Sequence, residues 1–194
     1  MSKPQLPPPG KLVFGLIYRE STSARGCWEE LELLGGAWDY ISAVTAFGFT
    51  GYYEKEMGTS LFRRWGCSRR LVPQDQLATI KLKTNELETR WEVEGQRQVN
   101  VDPGILSAER LVLATGKNYI HRIYLGSGVY GDLTLIYSKG SYRPLPWTYP
   151  DYQVPETIAM FNILRKRYQM QIALTQGEAA IGERRTKIGT PLEF

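Results

Sequence analysis

Between Lys11 and Arg19 the chain carries apolar side chains on both faces of an extended segment. Leu12, Phe14, Leu16 and Tyr18 alternate with Val13, Gly15 and Ile17. This pattern predicts a central strand of a sheet covered on both sides, or a strand with a ligand over one face. The chain can supply such cover: its 194 residues are 42% hydrophobic and 23% charged, which suits a packed core rather than disorder.

The remaining elements follow from periodicity and punctuation. Cys27 to Leu34 reads as a helix closed by Gly35-Gly36. Trp38 to Phe47 reads as a second strand, Phe49 to Gly58 as a long turn, and Leu61 to Val72 as a third strand. Pro73 opens the clearest helix, whose inward stripe is Leu77, Ile80, Thr84, Leu87 and Trp91. A strand at Gln98 to Val101, with a turn at Asp102-Pro103-Gly104, completes a β-α-β-β-α-β order. Ser107 to Thr115 fits either a helix capped by Ser107 or an apolar strand. Ile120 to Leu125 and Leu133 to Tyr137 read as a hairpin, followed by a short strand at Ser141 to Arg143. Three prolines keep Pro144 to Tyr152 out of regular structure, and Glu156 to Leu174 is a helix. The expected fold is α+β: a ferredoxin-like β-α-β-β-α-β core with helices on one side, and a C-terminal β-hairpin and helix extension. It forms a single domain over 11–174, between a disordered, proline-stiffened tail (1–10) and a mobile tail (175–194).

Two cysteines and one histidine are a poor supply for a zinc site, and no metal or cofactor is assigned. The apolar runs are too short to span a bilayer and the first residues lack a signal-peptide core, so a soluble cytoplasmic protein with no membrane partner is expected. The net charge of +4 leans weakly toward anionic partners.

His121 is the one side chain whose ordinary pKa falls near neutrality, and Lys117, Arg122 and two tyrosines surround it in sequence. It is the candidate acid-base group, with Asp102 as its orienter and Lys117 as the charge stabiliser. Strand alternation puts His121 and Arg122 on opposite faces unless the strand begins after them. Tyr149 and Asp151, in a rigid aromatic loop, are candidate pocket walls. Glu54 and Glu56 read better as a solvated turn than as a Mg²⁺ site with Asp102. Gly126 to Gly131 matches Gly-x-Gly-x-x-Gly, but a strand follows it, so a wide hairpin turn is expected. Arg63, Arg64, Arg69 and Arg70 around Trp65 form the densest basic cluster, suited to single-stranded nucleic acid or to a charge-blunted edge strand.

Several segments together resemble a known family. They are Tyr53-Glu54-Lys55-Glu56-Met57-Gly58, Asn100-Val101-Asp102-Pro103-Gly104, Arg110 to Lys117, His121 to Gly126, and Leu145 to Tyr152. Over about Lys11 to Tyr168 the chain resembles an uncharacterised prokaryotic domain-of-unknown-function family, some of whose members carry the label "GTP-binding protein". The resemblance implies no established reaction. The chain has neither a P-loop nor an Asn-Lys-x-Asp motif, so a nucleotide would be held by another geometry. The first functional reading is a site for an anionic or phosphorylated small molecule, a nucleotide included, with turnover left open. The alternatives are a single-stranded RNA-binding module and an assembly protein whose aromatic loops make a partner interface in an oligomer.

Overall fold

The structure is a computed structural model that describes residues 2–19 and 24–188, with side chains described as far as residue 175. The doubly apolar segment is β1 (Gly10–Arg19). It is followed by α1 (Arg25–Gly35), β2 (Trp38–Ile41), β3 (Thr45–Phe47), α2 (Glu54–Met57), β4 (Leu61–Val72) and α3 (Leu77–Arg90). The second half comprises β5 (Val99–Leu106), β6 (Arg110–Thr115), β7 (Arg122–Gly126), β8 (Val129–Ser138), β9 (Ser141–Pro144), α4 (Pro150–Gln153) and α5 (Pro155–Ile188). The class is α+β. The strands form one sheet in the order β2-β4-β1-β5-β6-β8-β7, with β3 beside β4 and β9 beside β8, and every pairing among the described residues is antiparallel.

The alternation in β1 decides the layering. Leu12, Phe14, Leu16 and Tyr18 pack with Trp28 and Leu31 of α1 and with Leu77, Ile80 and Leu87 of α3. Val13, on the opposite face, packs with Trp65, Cys67, Leu135 and with Phe161, Leu164 and Tyr168 of α5. Helices therefore cover both faces rather than one, as a strand apolar on both sides requires. None of the described helices is long and apolar enough to cross a membrane.

Several local expectations change. The segment Trp38 to Phe47 is two short strands separated at 42–44, where the Ser42 hydroxyl and carbonyl bind Trp65 N and Arg64 Nε of β4. The Gly126–Val129 connection is a tight turn, with Ser127 and Gly128 at φ 52° and 75°, rather than a wide one. Ser107 to Thr115 resolves as a hairpin: Ser107 N donates to Arg110 O at 2.9 Å, and a strand follows. Pro150–Gln153 makes one helical turn, its proline at the first helical position where no N–H is needed. Backbone helix continues past Leu174 to Ile188, and 189–194 lie outside the described residues.

Asp102-Pro103-Gly104 is not a turn. It lies inside β5, paired with Gly15, Phe14 and Val13 of β1. Its proline acts on the other edge of the strand. The ladder between β5 and β6 runs only from Gly104↔Leu113 to Leu106↔Leu111, and it stops where Pro103 has no N–H to donate. Beyond that point the two strands part, and α3 lies over the fork.

Candidate functional site

The fork holds a cavity of about 590 Å³. Asn100 and Asp102 of β5, Thr115 and Lys117 at the end of β6, and Asp132 of β8 line its sheet side. Lys81 and Glu88 of α3 with Arg97 line its helix side, and Tyr52, Tyr53 and Tyr149 close its mouth. Of the residues singled out from sequence, Asp102, Lys117 and Tyr149 thus share one cavity.

Asp102 is held from behind by Arg63. Nη1 of Arg63 donates to Asp102 Oδ2 at 3.0 Å, while Asn100 Nδ2 donates to Oδ1 at 3.1 Å. Arg63 is 2% exposed. Its Nη2 donates to the Tyr152 hydroxyl and lies 3.1 Å from Asp151 Oδ2. Its guanidinium carbon stands 3.9 Å from the centre of the Trp65 ring. Burial alone would lower the pKa of this guanidinium, but Tyr152, Asp151 and Asp102 together hold it above its ordinary value. The group occupies space left by Gly15: a Cβ there would lie 2.6 Å from Nη2 and 2.8 Å from the Trp65 ring.

Asp132 is held by the other side of the cavity. Arg122 Nε donates to its Oδ2 at 2.9 Å, and the same oxygen lies 3.3 Å from His121 Nε2. Arg122 also donates to the Lys117 carbonyl at 3.0 Å and to the Tyr149 hydroxyl at 2.8 Å. Because β7 begins at Arg122, His121 precedes the strand and escapes its alternation, so both side chains reach one carboxylate. The imidazole stacks on Trp147 at 4.8 Å and 11°, and Trp147 is fixed by its indole N–H to Leu133 O at 2.8 Å. His121 Nδ1 is buried with no hydrogen-bond partner among the described residues. Burial pushes the Tyr149 hydroxyl above its usual pKa, against the pull of Arg122.

His121 and Asp102 do not pair: the carboxylate that engages the imidazole is Asp132. Asp102 is committed to Arg63 and Asn100, and His121 lies behind Asp132 with its side chain 7% exposed. Lys117 Nζ donates to the Tyr52 hydroxyl and sits 4.1 Å from that ring's centre. Asp151 is buried against Arg63 and opens on a different cavity from Tyr149. On the helix side, Glu88 accepts from Arg97 Nη2 at 2.7 Å and from Val101 N at 2.8 Å, and Lys81 Nζ donates to Val101 O at 2.9 Å. Burial pushes the Glu88 carboxyl up, with Lys81 and Arg97 opposing it. Among the described residues no group of three or more histidine, cysteine or carboxylate side chains could hold a metal ion.

The basic cluster of β4, read from sequence as a surface for single-stranded nucleic acid, is divided between the core and the surface. Arg63 and Trp65 are buried, with Trp65 edge-on to Tyr152 at 4.7 Å and to Phe161 at 5.5 Å, so no base can reach the indole. Arg64 donates to Ser42 O on the opposite face, and only Arg69 and Arg70 are exposed. Nor is β4 an edge strand: β1 flanks it on one side and β2 and β3 on the other.

Asp132 was hidden in the sequence by its setting, a single carboxylate in the apolar run Val129 to Tyr137. That setting is also the signal that finds it, since a charge in a strand covered on both faces must have a partner.

A family described as a domain of unknown function, DUF4416, matches residues 8–168, and the chain belongs to that family. No curated protein and no solved structure matches it.

Proposed function

We propose that the cavity in the β5–β6 fork binds a small anion that also carries hydrogen-bond donors, of the phosphorylated sugar or nucleotide class. The observation that carries this reading is the convergence of two arginine-backed carboxylates, Asp102 and Asp132, with Lys117 on one space of about 590 Å³. An arginine behind each carboxylate fixes its position, leaving it an acceptor for ligand hydroxyls. Lys117 at the rim is the counter-charge for the anionic group, and Tyr52, Tyr53 and Tyr149 supply aromatic walls. His121 and Arg122 act through Asp132 as positioning residues. The strand order β2-β4-β1-β5 with two helices on one face supports a ferredoxin-like core, in which Pro103 opens the sheet for the ligand.

Thermal shift and calorimetry with AMP, GMP, glucose 6-phosphate and inorganic phosphate test the reading, each sugar or nucleoside being compared with its unphosphorylated form. At least one phosphorylated compound is expected to raise the melting temperature, and Lys117→Ala and Asp132→Asn each to weaken its binding. Failure of every phosphorylated compound, or equal binding with and without phosphate, overturns it.

A further inference from the structure

On the far side of Arg63 lies a second cavity, of about 450 Å³, between the β3–β4 pair and the corner of α4 and α5. Its apolar walls include Tyr40, Phe49 and Trp65, and its charged groups are Arg63, Asp151 and Glu156. The charges do not balance. The one cation among the described lining residues, Arg63, is shared between Asp151 at 3.1 Å and Asp102 at 3.0 Å. Glu156 forms no ion pair among the described residues. At the margins Arg64 and Arg167 donate to the carbonyls of Ser42 and Asp39. One guanidinium thus serves two carboxylates, and the third, Glu156, has no cation beside it among the described residues.

We propose that this cavity is a second binding site, for a small organic cation with an apolar body: an arylalkyl or aliphatic amine. Its ammonium sits against Asp151 and Glu156, and its body lies along Trp65, Tyr40 and Phe49. An ammonium supplies the missing positive charge, and aromatic faces attract cations besides covering apolar surface. A carboxylate of the same shape would meet the surplus negative charge. A neutral molecule would leave Asp151 with half a guanidinium. Burial already pushes the Asp151 carboxyl above the usual aspartate range, with Arg63 opposing that shift, and a bound ammonium acts in the same sense as Arg63. This site is independent of the anion site in the fork, although Arg63 touches a carboxylate from each cavity.

Three probes of one shape test the proposal: phenethylamine, phenethyl alcohol and phenylacetate, titrated into the full chain by calorimetry. The amine is expected to bind at least about tenfold more tightly than the alcohol, a difference of about 1.4 kcal/mol, and the acid not at all. Ala46 is exposed and lines the cavity, so Ala46→Trp fills the space without disturbing the buried charges and is expected to abolish amine binding. Glu156→Gln, also at an exposed position, is expected to weaken the amine several-fold. Equal affinity for the three probes, binding of none, or undiminished amine binding by Ala46→Trp overturns the proposal. Binding of phosphorylated probes in Ala46→Trp reports on the fork alone and separates failure of one site from failure of the other.

Discussion

On one side of the fork cavity a single arginine is divided between two carboxylates; on the other a single carboxylate is divided between two basic side chains. Arg63 faces Asp102 and Asp151 and has a buried Nε to spare, whereas Asp132 takes Arg122, His121 and a weak contact from Thr134 at 3.4 Å. The first cluster is deep, wedged between Gly15, Trp65 and Tyr152 under α5, and it carries a deficit of positive charge. The second lies where loops meet the end of the sheet, and its carboxylate is amply supplied with donors. Similar aspartate–arginine pairs facing one space thus need not do similar work. Arg63 ties the sheet to the last helices, while Asp132 is a fixed acceptor that can lose one donor and keep another.

Removing each arginine in turn separates the two clusters most strongly. Arg63→Leu strands two carboxylates, one of them buried, and is expected to cost about 3–5 kcal/mol in urea unfolding. Arg122→Leu leaves Asp132 with His121 and Thr134 and is expected to cost about 1.5–3 kcal/mol, the worth of hydrogen bonds to a charged group. Equal losses would erase the distinction.

Gly15→Ala presses on the Arg63 cluster without altering its charge. The added methyl would lie 2.6 Å from Nη2 and 2.9 Å from the guanidinium carbon, in a group already held on three sides. A loss of about 1–3 kcal/mol is expected from this overpacking. A neutral outcome would mean that Arg63 has room to move, and that its placement is not fixed by packing.

The two clusters differ in how much of them is written in local sequence patterns. Alternation in β1 revealed a strand covered on both faces, and the α3 stripe was legible because 3.6-residue periodicity is local. Alternation likewise put Arg63 and Trp65 on one face of β4. It could not say whether α5 or solvent covers that face, because the covering residues come about ninety positions later in the chain, as with Arg63 and Tyr152. Asp102-Pro103-Gly104 reads as a turn by its residue types, yet the ladder with β1 overrides that preference, and the proline is spent on ending the other ladder. Asp102, Lys117 and Tyr149, each legible in the local sequence, line the candidate cavity, while the partner of His121 depends on a register between β7 and β8 that spacing alone does not supply.

The charge deficit around Arg63 has a signature in acid. Burial raises the Asp151 carboxyl above its ordinary value of 3.8, so between that value and the raised one the folded chain binds more protons than the unfolded chain. Asp151's contribution to stability is therefore fully present below the unfolded value and is lost as pH rises through the folded one. Asp151→Asn removes this dependence. The stability of the parent relative to Asp151→Asn is expected to fall as pH is raised from about 4 toward neutrality, as followed by urea unfolding at several pH values. A difference that grows with pH would mean that Arg63 outweighs burial and the deficit is illusory.

The smallest effect concerns His121. His121→Phe keeps a ring against Trp147 and removes only the nitrogen 3.3 Å from Asp132, which retains Arg122 at 2.9 Å. A change below about 1 kcal/mol is expected, since a well-supplied carboxylate loses one long contact. His121→Ala removes the ring as well and is expected to cost about 0.5–1.5 kcal/mol more, the worth of a stacked aromatic pair. If the phenylalanine variant loses as much as the alanine variant, the nitrogen rather than the ring holds this side of the cavity together. Asp132 would then depend on its second donor as closely as Asp102 depends on Arg63.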